Sequence, residues 1–380
     1  MTAKLFTPIQ LGGVTLPNRI VVSPMCQYSA DDGCMSDWHF IHLGSLACSG
    51  AGLLMVEASG VTREGRISHG CTGIYSDHNQ AAMQRVVDAC RAITRSPIGI
   101  QLAHAGRKGS VHPPFAGGKP LGAAESPWQT VAPSATAYDA DWHTPRELSS
   151  EEIRGLVDTF AAAAQRSLAI GFDVIELHSA HGYLLHEFLS PLSNRRTDSY
   201  GGSLENRMRF PLEAARALRE AWPKERALGA RISASDWADG GFSTADAIVY
   251  AGRLKAIGFD FLCVSSGGLV PHQRIKIEPG YQVPFAAQIR QAVPIAVRAV
   301  GMIVDAQQAE DIVASGKADM IALARGLLDD PRWVWHAAER FGVKLDYPPQ
   351  YARSHPSVWP GAALARPPQP AGEKPRAAVR

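Results

Sequence analysis

Residues 169–177 read Ala-Ile-Gly-Phe-Asp-Val-Ile-Glu-Leu, which is the end of a helix, then a glycine, then a largely apolar run. A glycine at this point can end the helix in the left-handed conformation and let the chain turn into a strand. The same junction recurs at residues 256–260, which read Ala-Ile-Gly-Phe-Asp. Gly50 and Gly316 stand at similar places before two further apolar runs. This repetition indicates a fold built from helix–strand units in series.

Apolar runs of this kind recur along the whole chain. Near-continuous hydrophobicity without alternation is typical of parallel strands that are buried on both faces. Eight runs are therefore predicted as strands: 19–22, 52–56, 97–102, 172–177, 228–232, 259–264, 295–300 and 319–323. Helical segments separate most of them. One begins with a capping-box pattern at 149–152, and Ser203, Ser243 and Asp305 are predicted N-caps of others. Eight such units predict an α/β protein, a closed (β/α)8 TIM barrel.

Two regions interrupt the alternation. Residues 105–148 are rich in Gly, Pro and Ser and too long for a simple connection, so this loop after the third strand is predicted to form a lid or wall over the C-terminal face of the barrel. Residues 354–380 are rich in Pro, Ala and Arg and are predicted to be a tail. The expected organisation is one barrel domain at 1–353 followed by a C-terminal tail at 354–380.

Composition narrows the class of protein. The chain has 380 residues, 46% of them hydrophobic, and its net charge of +2 argues against a nucleic-acid-binding surface. Its six cysteines include no CxxC pair, which favours neither a disulfide framework nor a zinc site. No long apolar leader and no run of about 18 apolar residues is present. We expect a soluble cytoplasmic protein that binds neither membranes nor nucleic acid.

Polar side chains follow the fourth predicted strand directly. His178, His181 and Tyr183 lie at its C-terminal end, which is where ligands bind in parallel α/β folds. Two imidazoles can donate hydrogen bonds to an electron-rich oxygen, and a nearby phenol can supply a proton. The alternatives are a metal site or a buried structural histidine. No HExxH motif and no clear third ligand accompany the pair, so a metal is the less favoured interpretation.

Other strand ends suggest a bound anion. Gly301 and Arg325 follow the seventh and eighth strands, the usual phosphate location in this fold, although tight turns and an ordinary ion pair would explain them as well. Arg231 lies within a strand predicted to be buried, and a buried cation needs an anionic partner. That partner is either a carboxylate or a cofactor that becomes anionic on reduction. Gln101 could contact the polar edge of a heterocycle. Cys26 is by default a small buried residue, or a thiol that tunes a redox centre.

Four motifs in this order resemble the Old Yellow Enzyme family of flavin-dependent ene-reductases, which are built on a (β/α)8 barrel. The motifs lie at 23–28, 101–108, 178–183 and 188–203. A cysteine at position 26 and the ending Gln350-Tyr351-Ala352-Arg353 resemble the bacterial thermophilic-like subgroup. The resemblance covers roughly residues 3–353.

The resemblance implies a non-covalent FMN and either NADPH or NADH as reductant. Cys26 would adjust the potential of the flavin, and Arg231 would stabilise negative charge at its N1–C2 edge. The residues implied to contact FMN are Ser23, Pro24, Met25, Cys26, Ala58, Gln101, Arg231, Gly301, Ala324 and Arg325. Ala324 stands where the subgroup often has glycine. Tyr28 would line the substrate pocket, His178 and His181 would bind the substrate carbonyl, and Tyr183 would be the proton donor.

The implied reaction is a ping-pong reduction of α,β-unsaturated carbonyl or nitro compounds, with hydride from FMN N5 and a proton from Tyr183. Arg353 resembles an arginine that enters a neighbouring subunit's site, which implies a homodimer or tetramer. Three rivals remain open: an iron–sulfur dienoyl-CoA reductase or amine dehydrogenase, a flavin-free barrel lyase or isomerase, and a non-catalytic FMN-binding protein. The first has a cluster-binding cysteine spacing and additional domains that this chain lacks.

Overall fold

The computed structural model describes residues 3–365, and within them eight parallel strands close into a barrel. Each strand pairs with its neighbours along the chain, and the last pairs with the first. The strands are β1 (Ile20–Val22), β2 (Leu53–Gly60), β3 (Ile98–Ala103), β4 (Val174–Ser179), β5 (Ala227–Ser233), β6 (Phe261–Ser265), β7 (Ala296–Val300) and β8 (Met320–Leu323). All eight predicted strands and the predicted TIM barrel are confirmed.

Helices surround this barrel, and their starts follow the predicted caps. They are α1 (Asp37–Ala47), α2 (Asp77–Ile93), α3 (Ser150–Ile170), α4 (Leu184–Leu189), α5 (Leu204–Ala221), α6 (Thr244–Ile257), α7 (Val283–Ala292), α8 (Ala306–Ala314), α9 (Arg325–Asp329) and α10 (Trp333–Arg340). Ser149, Ser203, Ser243 and Asp305 each accept a hydrogen bond from a backbone N–H of the first helical turn. Those N–H groups would otherwise lack a partner, so the cap fixes where each helix begins.

The helix-to-strand junctions confirm the interpretation of the repeated glycines. Gly171 ends α3 with φ of +91°, and Gly258 ends α6 with φ of +103°. Side chains with a Cβ avoid this left-handed conformation, whereas glycine adopts it at little cost. The chain can therefore reverse within two residues and enter β4 or β6 as a buried strand.

The N-terminal end of the barrel is filled with apolar side chains. Phe261 belongs to this cluster, and Gly229 on the neighbouring strand makes room for its ring, because a Cβ there would lie 2.3 Å from it. A hairpin formed by Ile9–Leu11 and Val14–Leu16 packs against the same cluster. Since this end is closed by the hairpin and core, a ligand has access to the barrel from the other end.

The long connection between β3 and α3 has little regular structure. It contains short 3-10 turns and a two-stranded parallel sheet formed by Val131–Ala132 and Arg146–Glu147. The Tyr138 ring of this connection has its centroid 4.9 Å from Lys108 Nζ, at the C-terminal end of the barrel. Lys108 donates to the backbone oxygens of His181 and Gly268, which places this part of the connection at the C-terminal end of the barrel, while its role as a lid or wall stays a prediction.

The described part of the chain divides into two compact units, with the boundary between Lys344 and Leu345. The second unit begins with a turn at Pro349–Ser354 and includes a short helix at Ala362–Ala365. The predicted tail at 354–380 falls only partly within the structure, because residues 366–380 lie outside the described range. Among residues 3–365, no helix is long and apolar enough to cross a bilayer.

Candidate active site

A cavity of about 510 Å³ opens at the C-terminal ends of the strands from β5 to β8. His181 and Arg231 line it together with the segments that follow β6, β7 and β8. The lining includes five of the residues that the sequence singled out: His181, Arg231, Gly301, Ala324 and Arg325. Residues separated by up to 144 positions in the sequence thus share one site.

The two histidines and the tyrosine after β4 form a compact group. The ring centroids of His178 and His181 are 5.1 Å apart, and those of His178 and Tyr183 are 5.0 Å apart. A tight turn makes this possible, with φ of +61° at His181 and +71° at Gly182. A Cβ at Gly182 would lie 2.2 Å from the Gly268 carbonyl oxygen, so only glycine fits there. The turn brings the two imidazoles next to each other, and His181 lines the cavity.

The hydrogen bonds of His178 define which of its nitrogens is protonated. The backbone N–H of Ala180 donates to His178 Nδ1 over 3.2 Å, so this nitrogen is an acceptor. Burial, and then the positive charge of Arg231, hold the pKa of His178 well below its usual range. The ring is consequently neutral, and its one hydrogen is on Nε2, where it can be donated to a ligand.

His181 is held by a second hydrogen bond, in which its Nε2 lies 2.7 Å from Ser265 Oγ. Burial is again the main cause that lowers its pKa well below the usual value, followed by Arg231. Ser265 and Ser266 both donate to Gln282 Oε1, over 3.2 and 2.7 Å. The hydrogen bonds from Ser265 to Gln282 thus fix the serine that in turn orients the neutral His181 ring.

Tyr183 remains a phenol in this environment, because burial raises its pKa well above the usual value. Lys108 lies beside it, with Nζ 5.3 Å from the ring centroid. The ammonium also donates to the backbone oxygens of His181 and Gly268, over 2.9 and 2.8 Å. Burial lowers the pKa of Lys108 to about 8. A cation near the phenol face favours the negative charge that forms when the phenol gives up its proton.

Arg231 resolves one of the alternatives left by the sequence. Within residues 3–365, no carboxylate lies within ion-pair distance of its guanidinium, which makes a contact of 3.4 Å to Ser23 Oγ through Nη1. Its Nε is buried and has no hydrogen-bond partner in that range. The structural ion pair that the sequence left as one alternative is therefore absent from the described chain, and a half-buried guanidinium is available to a ligand.

The far end of the cavity is suited to an anion. Gly301 lines the cavity with its backbone. Its φ is +109°, and a Cβ there would lie 2.4 Å from Gln282 Nε2, so only glycine fits at this position. Arg325 lines this end, and Tyr281 lies close enough for the arginine charge to act on its hydroxyl. Gln282 and Tyr281 were missed in the sequence, where they precede α7 without belonging to a recognisable motif.

These features fit FMN. At one end of the cavity, the backbone of Gly301 and the charge of Arg325 suit a phosphate. At the other end lies the unpaired Nε of Arg231, which suits the polar edge of a heterocycle that gains negative charge. Gln101 lies on β3, is 2% exposed and is not among the residues that line this cavity. Ala324 lines the anion end despite replacing the more usual glycine, and its backbone N–H is retained.

The segment after β1 is joined to the site through Ser23 Oγ, which lies 3.4 Å from Arg231 Nη1. The Gln27 backbone N–H donates to Glu57 Oε2 over 3.1 Å, which ties the segment containing Pro24, Met25 and Cys26 to β2. Ala58 follows an irregularity in the pairing of β2 with β3. Tyr28 has φ of +52° and packs edge-on against Phe115 with a centroid distance of 6.2 Å.

Arg353 is the one predicted site residue outside the first compact unit. It is exposed and lies on the turn at Pro349–Ser354. Its expected role in a neighbouring subunit therefore stays a prediction. No group of three or more His, Cys, Asp or Glu side chains in the described residues could hold a metal ion.

Known proteins show the same organisation. A family model described as "NADH:flavin oxidoreductase / NADH oxidase family" matches residues 4–342. Proteins named NADPH dehydrogenase from Geobacillus thermodenitrificans (strain NG80-2) and Bacillus subtilis (strain 168) are each 45% identical over 355 residues, covering 93% of this chain and 99% of the relative. The structure of morphinone reductase in complex with tetrahydroNAD is 31% identical, with a TM-score of 0.74 over 91% of this chain and 93% of that one.

Proposed function

The chain belongs to the NADH:flavin oxidoreductase / NADH oxidase family, and on that premise we propose that it reduces the C=C bond of α,β-unsaturated carbonyl compounds. It is an enzyme that uses FMN and takes electrons from NAD(P)H, as the resemblance to the Old Yellow Enzyme family implied. The observation that carries the proposal is the group formed by His178, His181 and Tyr183, in which two neutral imidazoles and a protonated phenol face one site.

His178 and His181 bind the carbonyl oxygen of the substrate. That oxygen gains negative charge as hydride arrives at Cβ, so hydrogen bonds to it are stronger in the transition state than in the ground state. The neutral state of His178 suits this role, because its Nε2–H is left free to donate. His181 Nε2 lies 2.7 Å from Ser265 Oγ, so its N–H would turn from Ser265 to the substrate oxygen when the substrate binds. FMN, when bound, supplies the hydride chemistry.

Tyr183 donates the proton that Cα requires. Its pKa is raised by burial, so it is protonated at neutral pH, and Lys108 compensates the phenolate charge once the proton has left. Arg231 would face the polar edge of the cofactor, and Gly301, Ala324 and Arg325 would hold its phosphate. The remaining cofactor contacts would come from Ser23, Pro24, Met25, Cys26, Ala58 and Gln101, and Tyr28 would line the substrate pocket.

The test is product analysis with purified holoenzyme, NADPH and a panel of cyclic enones, maleimides and nitroalkenes under anaerobic conditions. We expect stoichiometric conversion of an enone to the saturated ketone. Tyr183→Phe should slow turnover by about 10²–10⁴-fold, the usual contribution of a positioned general acid. Tyr138→Phe removes another phenol beside Lys108 and should retain activity. NADPH oxidation without reduction of any alkene in the panel would contradict the proposal.

A further inference from the structure

A buried histidine and a buried aspartate lie next to the turn that carries His181 and Tyr183. His186 belongs to α4, Asp236 belongs to the loop that follows β5, and both side chains are fully buried. His186 Nε2 lies 2.9 Å from Asp236 Oδ1. Within residues 3–365, neither of these two atoms has a hydrogen bond to any other residue. Neither side chain lines the cavity, so the pair can act on the reaction only through its neighbours.

The hydrogen bonds around the pair define which nitrogen of His186 carries the hydrogen. The Gly182 backbone N–H donates to His186 Nδ1 over 2.9 Å, so the hydrogen of the neutral ring is on Nε2, which faces Asp236. Asp236 Oδ2 accepts from Ser190 Oγ and from the Phe242 backbone N–H, over 2.6 and 2.7 Å. Burial alone would raise the pKa of Asp236, but His186 and these two hydrogen bonds outweigh it and lower the pKa. A carboxylate therefore faces the ring.

The turn depends on such support because part of its backbone is in an unfavourable conformation. His181 has φ of +61°, in the left-handed region that residues with a Cβ avoid. Its backbone N–H donates to Ser233 Oγ over 3.0 Å, and the next N–H, that of Gly182, donates to His186. These two bonds hold the backbone on both sides of the His181 carbonyl, directly before Tyr183.

We propose that His186 and Asp236 are positioning residues for the reduction, an inference that rests on the proposed function. Asp236 holds His186 in the tautomer whose Nδ1 accepts the Gly182 N–H. That bond fixes the turn, and the turn presents His181 and Tyr183 to the substrate. A misplacement of about 1 Å at a reacting group can cost about 10²-fold in rate, so the pair matters although it does not touch the substrate.

Asp236→Asn tests the tautomer with little change in shape. The Phe242 N–H can only donate, so the amide oxygen of the new side chain would occupy the Oδ2 position and its NH2 group would face His186 Nε2. Nε2 must then accept, which moves the ring hydrogen to Nδ1, opposite the Gly182 N–H. Two donors would face each other, and the turn would lose its bond to the ring.

The kinetic test uses purified FMN-loaded variants in which the NADPH and enone steps are measured separately by stopped flow. Asp236→Asn and His186→Leu should slow the enone step by about 10²-fold at saturating enone, with FMN content and the NADPH step little changed. His186→Asn keeps an acceptor near the Nδ1 position and should recover most of the rate. As a control, His336→Asn removes a partly buried histidine whose Nδ1 lies 2.7 Å from Asp330 Oδ2, and should leave both steps unchanged.

Amide hydrogen exchange gives a readout that involves no alkene. The Gly182 amide should exchange faster in Asp236→Asn and His186→Leu than in the unmutated protein, and at nearly the unmutated rate in His186→Asn. A protein that reduces no enone but shows this exchange pattern would contradict the proposed reaction and leave the support of the turn standing. Unchanged exchange and an unchanged enone step in Asp236→Asn would overturn the inference, as would a His186→Asn variant as slow as Asp236→Asn.

Discussion

Gln101 Nε2 donates a hydrogen bond of 2.7 Å to Glu176 Oε1 inside the barrel, between strands β3 and β4. The other oxygen of Glu176 pairs with Arg298, and both partners of that ion pair are fully buried. Because an ionised carboxylate only accepts hydrogen bonds, the NH2 group of Gln101 must face Glu176. The amide oxygen is then directed away from the carboxylate, which fixes the orientation in which Gln101 meets a ligand.

The first prediction concerns this buried network. Glu176→Gln should lower the free energy of unfolding by about 3–5 kcal/mol, because Arg298 would remain charged and buried without its partner. Urea denaturation followed by circular dichroism measures the loss. The double variant Glu176→Gln/Arg298→Met should recover most of it. A single variant as stable as the unmutated protein would show that the pair contributes little.

The second prediction concerns pH. The pKa values of His178 and His181 are below 6.5, so both rings are neutral at and above that pH. The rate of the step in which the enone is reduced should therefore be constant from pH 6.5 to about 7.5, below the range where Lys108, with a pKa of about 8, loses its proton. Stopped-flow measurements across this window provide the check. If this rate instead fell tenfold for each unit of rising pH, an imidazolium would be required for the reaction.

The third prediction concerns Cys26. Cys26→Ala should shift the reduction potential of bound FMN and change the balance between the two half-reactions, while turnover stays measurable. Turnover should persist because the pKa of Cys26 is raised, which makes its thiol a poor nucleophile at neutral pH. Dye-equilibrated spectroscopic titration measures the potential. An inactive variant that retains FMN, or a covalent substrate adduct on Cys26 during turnover, would contradict a tuning role.

The fourth prediction concerns Arg353, which we expect to enter the substrate pocket of a neighbouring subunit in a homodimer or tetramer. Arg353→Ala should raise KM for the enone without changing FMN content. The KM of Arg353→Lys should lie between the values of the unmutated protein and of Arg353→Ala. Light scattering of the unmutated protein should give the mass of a dimer or tetramer. A monomer with unimpaired substrate binding by Arg353→Ala would refute this assignment.

The barrel was predictable because its determinants are local. Gly171 and Gly258 end helices where only a left-handed residue fits, and the apolar runs that follow must be buried on both faces. The group around His178 was predictable for the same reason, since one strand end holds all its members.

Contacts between distant segments were not predictable. Gln282 orients Ser265 and Ser266, at the end of β6, from a position just before α7. This pairing has no spacing that identifies it, because the closure of the barrel determines which side chains meet. Arg298 likewise lies in an ordinary apolar run, and its partner Glu176 is three strands away along the chain.

The central claim is that His178 and His181 act on the substrate oxygen, and anaerobic double-mixing stopped flow tests it most directly. FMN absorbance would be followed first on mixing with NADPH and then on mixing with an enone, for the unmutated protein and for His178→Ala and His181→Ala. The predicted result is a loss of about 10²–10³-fold in the enone step of each variant, with a much smaller change in the NADPH step. Equal losses in both steps, or none in the enone step, would contradict the claim.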